Sequence, residues 1–245
     1  MMPSAAPPAA RLPLLDLART AALVAMALFH LGRDMEVLGF LAPGATFTTP
    51  WDLAARGIAG TFVFLAGASL WLAHARATRW RAFWRRLAVL ALAALGVSVA
   101  TFLVFPGAWV RFGILHSIAA SSLVGVVLLR LPPVLTGLAG LALLAGAWAQ
   151  VPALAGPAWL WLGLGGAVPP MMDWEPMVPW TGPFLLGLAA AKAADGRGWL
   201  EALRGRPAGR LWDRLGWPGR HSLAVYLLHQ PVIFGALTGL AWALR

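Results

Sequence analysis

Apolar runs long enough to cross a lipid bilayer recur along this chain from its first segment to its last. Positions 21–29 and 87–105 contain no charged side chain, and 60% of the 245 residues are hydrophobic while 11% are charged. A soluble domain does not have this composition. A helix satisfies its own backbone hydrogen bonds in lipid and spans it with about 20 apolar residues. The sequence therefore predicts an all-α, polytopic helical membrane protein.

The apolar pattern predicts about seven transmembrane helices, at roughly 13–32, 55–75, 85–105, 112–130, 133–150, 178–194 and 220–243. Basic residues concentrate in two connections, 76–86 and 192–220, whereas the connection 151–177 has none and carries Asp173 and Glu175. With the N-terminus inside, 14 of the 19 Lys and Arg residues fall on the cytoplasmic side and 4 outside. This bias predicts a cytoplasmic N-terminus and an outer C-terminus. Segment 157–168 is left open as interfacial, re-entrant or spanning.

One integral-membrane domain is expected over 11–245, after a Pro/Ala-rich tail at 1–10 that is expected to be disordered. The first apolar run carries Asp16 and Arg19 and has no cleavage pattern after it, which favours a retained span over a signal peptide. The net charge of +10 lies in loops beside the spans, so it indicates topology and not nucleic-acid binding. The chain has no Cys, and its five His residues lack metal-site spacing, so no metal is expected.

Two ionisable residues share one face of the first predicted helix. Arg19 and His30 are separated by about 16 Å and lie within roughly 20° of the same direction on a helix. An ionisable group at membrane depth is costly and is a functional candidate by default. Asp34 follows His30 at the spacing at which helical side chains meet and could orient the imidazole. The alternative for Asp34 is a solvated loop acid paired with Arg33 or Arg56.

Further polar residues stand at the ends of other predicted helices. His116 begins the fourth, at the same predicted depth as His30, and is a catalytic candidate with His30 and Asp34. Asp16 is three residues from Arg19 and can pair with it, although Arg19 could also simply extend toward the interface. The donor-binding candidates are Asp16, Arg19, His221 and His229.

Four segments resemble one family of membrane enzymes. They are LDLAR at 15–19 with MALFH at 26–30, AGTFVFLAGAS at 59–69, FGILH at 112–116 and GRHSLAVYLLHQP at 219–231. In this order they resemble the bacterial proteins grouped with the heparan-alpha-glucosaminide N-acetyltransferase catalytic domain. The spacing of Arg19 and His30 is also similar to that of the wider transmembrane acyltransferase superfamily, including the acyltransferase-three proteins.

The resemblance implies an acyl-coenzyme A donor and a catalytic His at the position of His30. The chain departs from the family at Thr20, where Gly is usual. The eukaryotic heparan enzyme has Asn at the position of His30 and more spans, so heparan itself is not expected as the substrate.

Residues and resemblance together predict an acyltransferase of the bacterial cytoplasmic (inner) membrane. It would move an acyl group, expected to be acetyl, from cytoplasmic acyl-CoA to an amine or hydroxyl of an extracytoplasmic glycan, another small acceptor or an envelope component. Acetyl-CoA would be a co-substrate, membrane lipid the surrounding partner, and no cofactor would be bound permanently. The alternative is a small transporter or lipid-binding membrane protein that uses the same polar residues as a substrate or proton path. A homodimer is left open.

Overall fold

The structure, a computed structural model, describes residues 12–166, 168–204 and 209–244. The predicted tail at 1–10 lies outside these residues. The described ranges fold into ten α-helices, short 3₁₀ turns and an isolated β-bridge between Phe112 and Trp174. The helices are α1 Pro13–Val37, α2 Thr49–His74, α3 Trp80–Val104, α4 Ile114–Val127, α5 Pro133–Ala145, α6 Met177–Gly196, α7 Trp199–Arg204, α8 Arg210–Leu215, α9 Trp217–Arg220 and α10 Ser222–Ala243.

Four helices, α1, α2, α3 and α10, are long and apolar enough to cross a membrane by length and composition. Two further apolar segments, Ile114–Arg130 and Pro133–Trp148, are shorter. These helices confirm the all-helical membrane class. The predicted boundaries change in two instructive places. Helix α1 continues past 32 to Val37, which puts Asp34 on the helix, and the last predicted helix is divided at His221 into α9 and α10.

Helix α6 forms the centre of the bundle and packs most closely on α2 and α5. The crossing with α2 depends on glycine, because a Cβ at Gly67 would lie 1.9 Å from the Phe184 carbonyl oxygen and one at Gly187 would lie 2.0 Å from that of Phe64. Small residues permit such close approach of membrane helices. In contrast, a Cβ at Gly235 or Gly239 on α10 would meet no atom of the described residues within 4 Å, so these two glycines do not mark a close helix crossing.

Hydrogen bonds between helix ends define two ends of the bundle. At the first, which we call the Arg19 end, the Trp71 indole N–H donates to Asp195 at 3.1 Å and joins the ends of α2 and α6. At the second, the His30 end, the start of α4 lies beside the segment that leads into α6, since Asp173 accepts a hydrogen bond from the Ile114 N–H at 2.9 Å.

The segment between α5 and α6 is an ordered loop at the His30 end. It contains 3₁₀ turns at Pro152–Leu154 and Pro157–Trp159 and folds back on itself through a hydrogen bond from the Val151 N–H to the Leu164 carbonyl at 2.8 Å. Within the described part of 157–168, from which Ala167 is left out, no helix is long enough to span.

Candidate active site at the His30 end

The imidazoles of His30 and His229 face each other where α1 meets α10, with ring centroids 5.0 Å apart. Nδ1 of His229 lies 2.5 Å from the backbone carbonyl oxygen of Tyr226, one turn earlier on α10. A neutral ring must donate Nδ1–H to that oxygen, which leaves a lone pair on Nε2. This Nε2 is buried and has no hydrogen-bond partner among the described residues. It is therefore a basic atom whose lone pair no described residue uses.

The sequence analysis grouped His229 with the candidates for binding the acyl donor, whereas the structure places its ring beside that of His30. Helices α1 and α10 run in the same direction, since Gly219 lies against Asp16 at one end and Gln230 against Asp34 at the other. This parallel pairing carries His229 to the depth of His30.

Asp34 is buried and bonds across the same interface, but not to His30. The Gln230 amide donates to both carboxylate oxygens of Asp34, at 2.9 and 3.1 Å. Neither alternative from the sequence, an imidazole partner or a solvated loop acid, describes this arrangement. The Gln230 Oε1 is buried and unpaired within the part of the chain that the structure describes. It provides a second open polar atom beside His229.

His116 is held by its own neighbourhood. Its Nδ1 accepts a hydrogen bond from the Gly113 N–H at 3.2 Å, and its Nε2 is 3.3 Å from the Ser98 hydroxyl, which donates to the Val110 carbonyl. A neutral His116 therefore uses both ring nitrogens to fix the start of α4. The described contacts of His116 do not include His30, although the sequence predicted the two residues at the same depth.

Two carboxyls of the α5–α6 loop, Asp173 and Glu175, lie at this end and were interpreted from the sequence only as marks of an outer loop. Burial raises the pKa of Asp173 to about 6, although the hydrogen bond from the Ile114 N–H lowers it. Burial and then the Asp173 carboxylate raise the pKa of Glu175 to about 9, against the lowering effect of Arg56. The sequence feature that could have indicated a role for these two residues is the presence of a pair of acids in a loop rich in Trp and Met.

At the Arg19 end the expected pair of Asp16 and Arg19 is present. The Arg19 guanidinium donates to Asp16 at 3.1 Å and to the Ser69 hydroxyl of α2 at 2.5 Å. Between Arg19 and His30, Leu23 and Met26 point the same way and are buried, so packed side chains fill that stripe. His221 is exposed and packs on Trp217 with ring centroids 4.7 Å apart.

The basic connection 76–86 leads into α3, and a cavity of about 570 Å³ lies at the start of that helix. The residues that line it are Arg79, Trp80, Arg81, Ala82 and Arg85, and apolar atoms of these side chains form most of its wall. Arginine recognises phosphate through paired, charge-assisted hydrogen bonds, and an indole face can stack on a flat ring.

Fold and site together define an integral membrane protein with an imidazole pair near one end of its bundle and arginines at the other. Residues 11–231 match the family model described as heparan-alpha-glucosaminide N-acetyltransferase, catalytic. The match covers most of the chain, which therefore belongs to this family. The resemblance found in the sequence is confirmed, and the family is one of membrane acetyltransferases. No curated protein and no solved structure matches the chain.

Proposed function

We propose that the chain transfers an acetyl group from cytoplasmic acetyl-CoA to an amine or hydroxyl of an extracytoplasmic sugar or other envelope component. The family match supports acetyl transfer. The observation that carries the proposal for this site is the contact of His30 with His229, beside two buried polar atoms that have no hydrogen-bond partner among the residues the structure describes.

In this proposal, arginine side chains bind the acyl donor, acetyl-CoA. The phosphates of acetyl-CoA bind in the cavity of Arg79, Arg81 and Arg85, whose guanidinium groups give charge-assisted hydrogen bonds. Arg19 contributes a further cation farther along the bundle. The pantetheine arm then covers the distance of about 16 Å from Arg19 to His30 along a path beside the α1 stripe, because the buried side chains of Leu23 and Met26 fill the stripe itself.

The transfer itself needs one base. His30 accepts the proton of the acceptor N–H or O–H, while the nitrogen or oxygen forms a bond to the thioester carbonyl carbon. The carbon–sulfur bond breaks, the thiolate of coenzyme A leaves with the electron pair, and the imidazolium returns the proton to sulfur. A thiol is a good leaving group, so a single positioned base suffices.

The proposed orientation has seven spans, with the N-terminus and the 76–86 connection in the cytoplasm and the 151–177 loop outside. Donor and acceptor then reach the site from opposite faces of the membrane. Cysteine labelling on this Cys-free chain tests the orientation. An impermeant maleimide applied from the cytoplasmic side should label Ala77→Cys and not Ala158→Cys; the reverse pattern would overturn the orientation.

The reaction is tested by incubating purified protein in nanodiscs with acetyl-labelled acetyl-CoA and a panel of amino and hydroxy glycosides. We expect transfer of label to at least one acceptor, lost in His30→Ala and retained in Trp242→Ala, which replaces an exposed side chain of α10. If no acceptor is labelled, or if His30→Ala is as active as the unchanged protein, the proposal fails.

A further inference from the structure

An apolar groove of about 800 Å³ runs along the outer flank of α1 and α2, on a different face of α1 from Arg19 and His30. It begins at Ala18 and ends at Phe29, a distance of about 16 Å along a helix. Half of a bilayer's hydrocarbon core is about 15 Å thick, so the groove is as long as one leaflet is deep. Small and apolar side chains line it, among them Ala21, Ala25, Leu28, Ala54, Gly57 and Ile58.

The outer end of the groove lies next to the candidate active site. Its outer end is closed by Phe29 and Trp51, whose ring centroids are 5.2 Å apart. The Phe29 ring also packs edge-on against the His30 imidazole, with centroids separated by 5.5 Å. A molecule in the groove therefore has its outer end at the Phe29 ring, on whose other side the His30 imidazole lies. The groove is open along its side, since a Cβ at Gly57 would meet nothing within 4 Å.

The side chains that line the groove favour a hydrocarbon chain over a pantetheine arm as its occupant. Among the residues that line the groove, Thr61 and Trp51 have polar side-chain atoms, and the Thr61 hydroxyl already donates to the Gly57 carbonyl at 2.7 Å, while the Trp51 indole lies at the outer end. The two amides of a pantetheine arm would lose their hydrogen bonds to water here without replacement, which is costly. A hydrocarbon chain has no such requirement, and one anchored in the leaflet enters sideways without leaving an apolar environment.

We infer that this groove binds the hydrocarbon chain of a lipid-anchored acceptor, whose head group then lies at His30 and His229. The inference rests on the proposed function and narrows it, because the acceptor becomes a membrane-anchored amine or alcohol and not a free soluble sugar.

Two acceptors with the same head group and different chains test this in nanodiscs. The probes are dodecyl and methyl glucosaminide with acetyl-CoA, and the groove is filled by Ala25→Phe or Ala54→Phe. The KM for the dodecyl acceptor should rise by about tenfold or more, the effect of a few methylene groups losing apolar contact. The KM for the methyl acceptor should not change. Val24→Phe is the matched control, since Val24 is exposed on α1 outside the groove. A dodecyl-to-methyl ratio that groove filling leaves unchanged would overturn the inference.

A binding measurement separates this inference from the proposed reaction. A diazirine on the chain of dodecyl glucosaminide should crosslink to 18–29 and 50–61, and Ala25→Phe should remove the crosslinks while Val24→Phe keeps them. This pattern without any acetyl transfer would retain the groove and reject the reaction. Crosslinks that persist in Ala25→Phe, or that excess dodecyl glucosaminide does not displace, would reject the groove even if transfer occurs.

Discussion

The Gln230 amide donates to both carboxylate oxygens of Asp34, at 2.9 and 3.1 Å, and joins α10 to α1 one turn beyond the imidazole pair. Hydrogen bonds between membrane helices contribute about 0.6–2 kcal/mol each. The contact therefore fixes the distance between His30 and His229 more than it determines the stability of the whole bundle.

The acid of Asp34 and the amide of Gln230 should be exchangeable without loss of stability only if both residues are replaced together. Gln230→Glu places a second carboxylate against buried Asp34, so we expect a lower apparent melting temperature and lower acetyl transfer. Asp34→Asn combined with Gln230→Glu restores one amide and one acid, and should recover most of both losses. Thermal unfolding in detergent and the transfer assay measure this. A single Gln230→Glu variant as stable as the unchanged protein would show that the contact does not form.

The three imidazoles of α1, α4 and α10 should respond differently to replacement by alanine. His30→Ala should reduce kcat by about a hundredfold or more, the usual contribution of a positioned base. His229→Ala should lower kcat by a smaller factor, because it removes the ring beside His30 but leaves the base itself in place. His116→Ala should mainly lower thermal stability, since its contacts fix the start of α4. Loss of activity in His116→Ala with full activity in His30→Ala would reassign the base.

Arg19 should act on the donor through its charge. Arg19→Ala should weaken coenzyme A binding by about ten- to a hundredfold, the loss of one charge-assisted contact. Ser69→Ala removes a hydrogen-bond partner of Arg19 but keeps the charge, so it is the matched control and should bind coenzyme A nearly normally. Calorimetry in detergent measures both. Equal affinity of Arg19→Ala and the unchanged protein would make Arg19 a purely structural residue.

Glu175 should make the protein less stable as the pH rises. Its pKa is about 9 in the folded protein and 4.5 in the ordinary state, so between these values the unfolded chain loses a proton that the folded chain keeps. Stability from this group is therefore complete below 4.5 and decreases up to about pH 9. Glu175→Gln should flatten the fall in melting temperature from pH 5 to 9. Glu201→Gln, an exposed acid on α7, should not; an unchanged slope in Glu175→Gln would contradict the prediction.

Lys192 should be a structural residue. Its buried ammonium donates to the carbonyls of Leu128 and Leu131 at 2.7 and 3.0 Å and to the Thr136 hydroxyl at 2.9 Å. Lys192→Met leaves these acceptors unpaired and should destabilise the fold by about 1–3 kcal/mol. Thr136→Val removes one contact and should cost less. Thermal unfolding measures both, and coenzyme A affinity should stay constant in each.

The sequence alone determined the helical membrane class, the family and the pairing of Asp16 with Arg19. These depend on features that can be read along the chain: apolar length, the order of four short motifs, and side chains three residues apart on one helix. The distance from Arg19 to His30 belongs to the same group, because both residues lie on α1 and a helix fixes their separation.

Tertiary structure decided which polar residues meet. Asp34 and Gln230 are 196 positions apart, and no periodicity within α1 or α10 indicates that these helices lie side by side in parallel. That pairing gives His30 its neighbour His229, and the loop before α6 brings Asp173 to the start of α4. Helix contacts in lipid arise from shape and a few hydrogen bonds, since apolar side chains gain little by leaving lipid for one another. The apolar pattern therefore predicts where helices form, and only the packed bundle defines the partners of each polar side chain.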